Sequence, residues 1–322
     1  MKRNIILFII TVFVFISCEE GFEPTTEFRE DYVMYGILDG DSTYQTVVIS
    51  KSYSAENFDP YSNTTDPDIQ NAVVTIKGND KEYVLRDTSI ERADQSRYSN
   101  PQYFYYTNDF QPKVGEEVEI KAVLPNGKIL ESQTQLPHYS LFTWADSDEM
   151  LPISTIYDQV LFRWKLNNSP DDLVYLPRFL IHYFQKVNGV DVRKVKEVPY
   201  NLVRIGGQLK EQFPSATGKN YILYDTTIVY DTFKDLKGTG SPSDITIIKG
   251  EIEVTIMDNN FGNYYSSIQT LNDGFTIKIY EANYSNIKGG IGIWGSYFIK
   301  SKDIEVLPDF TKRFGYNSYY EL

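Results

Sequence analysis

Polar and hydrophobic residues alternate along much of the chain after residue 31. The clearest example is Glu117–Leu124, where charged side chains alternate with apolar ones. The turn Pro125-Asn126-Gly127 and a second run, Lys128–Thr134, follow it. A period of two is typical of a strand that buries one face. Since a turn containing Asn-Gly commonly joins two antiparallel strands, the pattern predicts a β-hairpin here.

Other short runs with the same pattern predict more strands in the first half of the chain. They are Tyr32–Leu38, Tyr44–Ser50, Ala72–Lys77 and Glu82–Leu85. Short strands separated by turns at this spacing favour an immunoglobulin-like β-sandwich over residues 31–137. We expect Leu136-Pro137 to end this unit.

The rest of the chain, residues 138–322, predicts a second β-rich domain with one short helix. Proline within Asp172–Val187 indicates a bent or edge strand there. The segment Phe261–Leu271 has helical spacing and is the only good helix candidate of this half, and Asp231–Asp244 is expected to be a loop. The other predicted strands are Val160–Leu166, Val190–Val198, Tyr221–Tyr230, Ile245–Met257, Phe275–Tyr280 and Ile291–Ile299.

The N-terminus carries a pattern that predicts export and a lipid anchor. Two basic residues precede the apolar run Ile5–Ile16, which suits a signal peptide and is short for a spanning helix. Ser17-Cys18 then resembles a bacterial lipobox, which implies acylation of the Cys18 thiol and cleavage after Ser17. The alternative is an ordinary signal peptide with an incidental cysteine. We favour the lipobox because Cys18 is the only cysteine in the chain. Residues 1–17 would be the signal peptide and residues 18–30 a polar tether.

Composition narrows the choice of partners. The chain has 44 acidic and 31 basic side chains, for a net charge of −13. Nucleic acid and anionic lipid headgroups are therefore not expected to bind it. The 26 tyrosines and 19 phenylalanines suit strands and can also form binding surfaces. One dense cluster is a candidate ligand or partner surface, with an edge strand that buries half its aromatics as the alternative. The cluster consists of Tyr98, Tyr103, Phe104, Tyr105 and Tyr106.

The residues that commonly carry chemistry form no recognisable active site. His138 and His182 share no metal-ligand spacing and are expected to be structural. The motif Asp66-Pro67-Asp68-x-x-Asn71 could offer oxygen ligands to calcium, but a solvated loop is the preferred interpretation. The sequence thus predicts no catalytic residue, no cofactor and no metal, and the chain is not expected to be an enzyme.

Two tripeptides resemble O-glycosylation sites. They are Asp41-Ser42-Thr43 and Asp225-Thr226-Thr227. Such tripeptides arise easily by chance, so modification at Ser42 or Thr226 stays open.

Four longer segments carry a family resemblance: Asp31–Gly40, Val48–Ser52, Ile69–Ile76 and Tyr284–Tyr297. Together they resemble the DUF4249 family of Bacteroidota lipoproteins. The last is the most specific. Three glycines at 289, 290 and 292 lead into a predicted strand, and Gly295 inside it would allow a bulge or a close backbone approach.

The resemblance implies a location rather than a reaction, since the family has no known function. Its members resemble accessory lipoproteins of the outer membrane, with genes often near TonB-dependent transporters. Acidic residues after the lipidated cysteine, here Glu19 and Glu20, resemble a surface-export signal. We therefore expect a non-catalytic binding or accessory module that faces the cell exterior, beside a TonB-dependent receptor. An adhesin or structural surface protein is the alternative, and a glycan or peptide hydrolase ranks last.

Overall fold

The computed structural model describes residues 30–53, 59, 63–152, 158–169, 173–269 and 284–321. Within them the chain is mainly β, as predicted. The first nine strands are β1 Tyr32–Asp39, β2 Gln45–Lys51, β3 Val73–Gly78, β4 Lys81–Val84, β5 Arg86–Ile90, β6 Gln102–Thr107, β7 Glu117–Val123, β8 Ile129–Gln135 and β9 Leu141–Trp144. The next ten are β10 Met150–Leu151, β11 Gln159–Asn167, β12 Val174–Val187, β13 Val190–Glu197, β14 Asn201–Ile205, β15 Gln208–Gln212, β16 Tyr221–Asp225, β17 Ile245–Met257, β18 Ile291–Val306 and β19 Asn317–Ser318.

Helices are few and short. The described residues include α1 Thr226–Asp235, α2 Asn259–Gln269 and α3 Pro308–Lys312, with 3₁₀ turns at Pro242–Asp244 and Tyr319–Glu321. None of the helices in this part of the chain has the length and apolar character needed to cross a membrane.

Two sheets pack face to face in the N-terminal half. The large sheet has the order β13-β12-β17-β18-β1-β2-β6-β5, and a four-stranded sheet has the order β4-β3-β7-β8. Period-two alternation turns Met34, Ile76 and Ile120 towards each other between the sheets, where all three are buried. The indole of Trp294 lies in the same core and donates a hydrogen bond to the Val118 carbonyl, at 3.0 Å. The predicted N-terminal β-sandwich is therefore confirmed.

A second hydrophobic core fills the C-terminal half. There β12, β17 and β18 of the large sheet face the three-stranded sheet β16-β11-β9 and helix α1. Phe162 packs against both Phe179 and Tyr224, with ring centroids 5.1 and 6.1 Å away. Strands β14 and β15 form a separate two-stranded sheet.

The large sheet continues through both halves. Strand β1 pairs in parallel with β18, from Val33 opposite Ile291 to Asp39 opposite Tyr297. The two hydrophobic cores nevertheless have different buried residues, and the partly buried Tyr139 packs against both. The domain boundary at residue 137 stays a prediction.

The prediction of a single short helix is wrong, because the described residues contain three α-helices. The predicted helix Phe261–Leu271 corresponds to α2, but α1 begins inside the predicted strand Tyr221–Tyr230. Asp225 is the last residue of β16. Its side chain caps α1 by accepting a hydrogen bond from the Thr227 amide, at 2.7 Å. Capping by aspartate outweighs the β-preference of the branched residues after it. The helix also replaces the first part of the expected loop Asp231–Asp244.

Most of the predicted strands are present, and the hairpin predicted from residue 117 is β7–β8. Pro177 lies where β12 pairs with β17 and before its pairing with β13 begins at Leu180, which suits the predicted edge position. The predicted strand Phe275–Tyr280 lies outside the described residues, as do the signal peptide and Cys18.

Candidate functional site

Strand β6 divides the predicted aromatic cluster between two faces. Tyr105 points into the sandwich core and is only 2% exposed. Its hydroxyl donates to the Ile69 carbonyl at 2.7 Å and accepts from the Ala72 amide at 3.0 Å, and burial raises its pKa. Tyr105 is therefore a core residue and no part of an exposed binding surface.

The opposite face of the sheet carries Phe104 and Tyr106, which form a row with Tyr44 and Arg86 that we call the aromatic strip. The Tyr106 ring centroid lies 5.7 Å from that of Tyr44 and 6.3 Å from that of Phe104. The Arg86 guanidinium lies over the Tyr106 ring at 4.8 Å. Phe104 and Tyr106 are partly exposed, and Tyr44 is 48% exposed.

The alternative prediction for this segment, an edge strand with half its aromatics in the core, is partly right. The alternation is as expected, but β5 pairs outside β6 and takes the edge position. Arg86 on β5 and Tyr44 before β2 were not among the predicted residues. They join the strip because β5 and β2 flank β6 in the sheet, a pairing that sequence spacing alone does not reveal.

Tyr98 and Tyr103 lie apart from the strip, near a cluster of charged loop residues. The Tyr98 ring lies beneath the guanidinium groups of Arg97, at 4.7 Å, and Arg92, at 5.3 Å. The Tyr103 amide donates to an Asp68 carboxylate oxygen at 3.1 Å. Four of the five predicted aromatics thus lie on β6 as neighbours in sequence, and two of these four, Phe104 and Tyr106, belong to the strip.

The two aspartates of the Asp66-Pro67-Asp68-x-x-Asn71 motif lie beside an arginine. Arg92 forms an ion pair with Asp66 and lies 3.8 Å from Asp68. The side chains of Asp66 and Asp68 are 15% and 5% exposed, so the expectation of a solvated loop is wrong. Burial, with Asp66 nearby, raises the pKa of Asp68 to about 6. Asn71 lies in a left-handed turn, with φ of 59°.

The two histidines have different environments. His138 is exposed, with its Nδ1 3.1 Å from the Asn168 carbonyl oxygen. His182 is buried on β12, with its Nε2 2.7 Å from a Glu251 carboxylate oxygen, and burial lowers its pKa. No set of three His, Cys, Asp or Glu side chains within the described ranges has a geometry that could hold a metal ion.

Both candidate glycosylation residues are part-exposed and hydrogen-bonded. The Ser42 hydroxyl accepts from the Tyr44 amide at 3.0 Å, and the Thr226 hydroxyl donates to the Asp158 carbonyl at 3.0 Å. Their modification stays a prediction.

Two concave sites were missed by sequence reasoning, because their residues are distant along the chain. One groove of about 380 Å³ lies at the base of the β14–β15 hairpin. Its walls include Tyr200, Tyr221 and Lys219, with the lysine ammonium 5.9 Å from the Tyr221 ring centroid. The second site, between α1 and the segment after α3, has a volume of about 280 Å³ and is lined by basic and aromatic side chains.

Comparison with known proteins gives no family assignment. No family profile matches the chain, and no curated protein matches it. Among solved structures, the chain has similarity to the full ectodomain (Ig1–Ig3) of mouse nectin-like molecule 4. The identity is 9% and the TM-score 0.19, over 86% of this chain and 64% of that one. The chain therefore spans less than two thirds of that ectodomain.

Proposed function

We propose that this chain is a lipid-anchored, non-catalytic binding module of the outer membrane that docks on a TonB-dependent transporter through the aromatic strip. The anchor rests on the lipobox-like Ser17-Cys18, and the transporter rests on the resemblance to DUF4249. The single observation that carries the docking function is an aromatic row on an outer sheet face.

The strip is not needed to complete the core. Tyr105, between Phe104 and Tyr106, fills the space between the sheets with its ring. The outer face of a sheet that is exposed to water normally carries polar side chains. Phe104 and Tyr106, partly exposed on that face, therefore make a surface suited to a partner.

The other outer face of the sandwich provides a contrast within the same molecule. On the four-stranded sheet, Lys77 lies 3.7 Å from Glu119, and Lys121 lies 3.4 Å from Glu131. Alternating charges of this kind suit contact with water. The two outer faces of one sandwich thus differ in chemistry, and the aromatic one is the better candidate for a protein contact.

The residue types of the strip are those that contribute most to protein interfaces. Tyrosine and arginine are enriched among residues whose truncation weakens binding strongly, because they combine large apolar area with directed polar groups. The Arg86 guanidinium already stacks on Tyr106, so little side-chain freedom remains to be lost on binding.

The test is co-purification of the tagged, full-length lipoprotein from membranes in mild detergent. We expect the wild-type chain to recover a TonB-dependent receptor, and the double variant Tyr44→Ser, Tyr106→Ser to recover at least tenfold less, about 1.4 kcal/mol or more. Tyr320→Ser is the matched control, because this tyrosine is exposed at 67% and lies outside the strip. It should recover the receptor at the wild-type level.

Three results would contradict the proposal. Recovery of the wild-type protein alone would remove the transporter as partner. Equal receptor recovery by the double variant and by Tyr320→Ser would remove the strip as the docking surface. If deletion of the gene abolished attachment but left nutrient uptake intact, the adhesin alternative would replace the proposal.

A further inference from the structure

A basic pocket lies at the ends of two helices in the C-terminal half, lined by Tyr230, Lys234, Lys237, Arg313 and Phe314. Tyr230 and Lys234 are four residues apart and therefore share one face of α1. Arg313 and Phe314 follow α3 directly. The ring centroids of Tyr230 and Phe314 are 4.7 Å apart, so the two rings form one apolar wall.

Three positive charges surround this pocket without a carboxylate to balance them. Within the described part of the chain, Lys234, Lys237 and Arg313 form no ion pair at 4.0 Å or less. No acidic side chain lines the pocket either. Like charges around one small space repel each other. This arrangement is notable in a chain with a net charge of −13.

The helix dipoles account for the position of only some of these positive charges. A cation near a helix C-terminus is stabilised by the helix dipole, which accounts for Lys234 in the last turn of α1. Arg313, at the end of α3, has the same benefit, but α3 is only five residues long. Lys237 lies beyond the end of α1 and has no such reason to face the pocket.

The nearest acids on the same elements do not line the pocket. Asp231 lies three residues before Lys234 on α1, on the same side of the helix, but the two side chains form no ion pair at 4.0 Å or less. Asp309 lies four residues before Arg313, but its carboxylate is 4.0 Å from the Lys312 ammonium and its side chain is 95% exposed.

We propose that the basic pocket binds a single sugar ring that carries an oxyanion, such as a phosphate, sulfate or carboxylate. The volume of about 280 Å³ suits one ring and little more. The ring would pack on Tyr230 and Phe314, while the oxyanion would accept hydrogen bonds from the Arg313 guanidinium, whose planar fork matches two oxygens of one group. Lys234 and Lys237 would add two point charges. This site is independent of the aromatic strip and of the proposed transporter partner.

The experiment is isothermal titration of the full-length protein with four probes: a hexose phosphate, a hexose sulfate, a hexuronate and the neutral hexose. We expect at least one anionic probe to bind with a Kd of about 0.1–1 mM, as ligand size allows. The neutral hexose should bind at least tenfold more weakly. The comparison among the three anions identifies the oxyanion.

Substitutions then locate the site. Arg313→Gln should weaken the binding of the anionic probe at least tenfold, and Arg313→Lys by less, because it keeps the charge but loses the fork. Lys210→Gln is the control, since it removes one exposed positive charge from β15, outside the pocket. It should leave the affinity unchanged. If Arg313→Gln does not fold, Lys237→Gln, in the turn after α1, provides the same comparison.

The proposal is overturned if no anionic probe binds, or if the neutral hexose binds as tightly as the anions. It is also overturned if the pocket variants keep the wild-type affinity. The strip variants Tyr44→Ser and Tyr106→Ser should bind the anionic probe normally, so failure of this site and failure of the docking surface are separate results.

Discussion

A Cβ atom on Gly292 would lie 2.1 Å from the carbonyl oxygen of Met34, because the two residues face each other across the parallel pair β1–β18. Gly292 also has a φ of 123°, which L side chains rarely adopt. Both features require glycine at the point where the C-terminal strand joins the N-terminal sandwich. They give a physical reason for one glycine of the motif on which the family resemblance rests.

Gly292→Ala should therefore lower the free energy of unfolding by about 3 kcal/mol or more, through backbone strain and the clash with Met34. The control is Gly127→Ala, since Gly127 has a φ of 84° but no neighbouring atom within 4 Å of the position that an added Cβ would take. It should cost only about 1–2 kcal/mol, for the left-handed conformation alone. Urea denaturation measures both values. Equal losses would show that the contact with Met34 is not restrictive.

A buried carboxylate connects the two halves near the same strand. Asp258 accepts hydrogen bonds from Thr134 of β8 at 2.5 Å, from Ser296 of β18 at 2.6 Å and from the Phe261 amide of α2 at 2.6 Å. Burial raises its pKa, although each of these hydrogen bonds acts to lower it.

Asp258→Ala should destabilise the fold by about 2–4 kcal/mol, because it removes a helix cap and leaves two buried hydroxyls without their acceptor. Asp258→Asn keeps an acceptor for the Phe261 amide and should cost less. Asp225→Ala is a matched control: it removes the exposed cap of α1 and should cost only about 1 kcal/mol. Thermal and denaturant unfolding would test this order, and an equal loss in both alanine variants would contradict the role of burial.

Local patterns predicted the parts of the fold that depend on neighbours in sequence. The hairpin β7–β8 follows from alternation around Pro125-Asn126-Gly127, and β17 has the predicted bounds Ile245–Met257. In contrast, α1 was missed because Ile228, Val229 and Tyr230 favour strands. Asp225, read as part of a glycosylation tripeptide, is the residue whose cap starts the helix.

The candidate sites depend on contacts between distant segments and were predicted only in part. Phe104 and Tyr106 were identified from aromatic density, but Tyr44 and Arg86 reach them through strand pairing. The basic pocket was not predicted, because about 80 residues separate Tyr230 from Phe314 along the chain and nothing in either segment alone signals the other.

The ion cluster around Asp68 predicts a pH dependence of stability. Its pKa is raised from 3.8 to about 6, with burial as the main cause, Asp66 acting in the same direction and Arg92 against it. Between these two values the folded state binds more protons than the unfolded state, so the free energy of unfolding falls as pH rises. The contribution of Asp68 is fully present below the unfolded pKa and lost above about pH 6.

Asp68→Asn removes this titration and serves as the reference. We expect the wild type to lose about 1–3 kcal/mol relative to the variant between about pH 4 and pH 7. Denaturant unfolding of both proteins across this range measures the difference. A difference that is constant with pH would show that Asp68 titrates alike in the folded and unfolded states.

The last prediction concerns the lipid anchor, on which the proposed location of the protein depends. Cys18→Ser should abolish incorporation of labelled palmitate and move the protein from the membrane to the soluble fraction, because several acyl chains, each contributing about 0.8 kcal/mol per buried CH₂, would be lost. Ser17→Ala, which keeps a small residue before the cysteine, should be processed and fractionate as the wild type does. If Cys18→Ser keeps its label, its size and its membrane fraction, then the cysteine is not the anchor. The proposed position beside an outer-membrane transporter would then have no support. The basic pocket lies in the folded body, so the proposal of its ligand would be unaffected by this result.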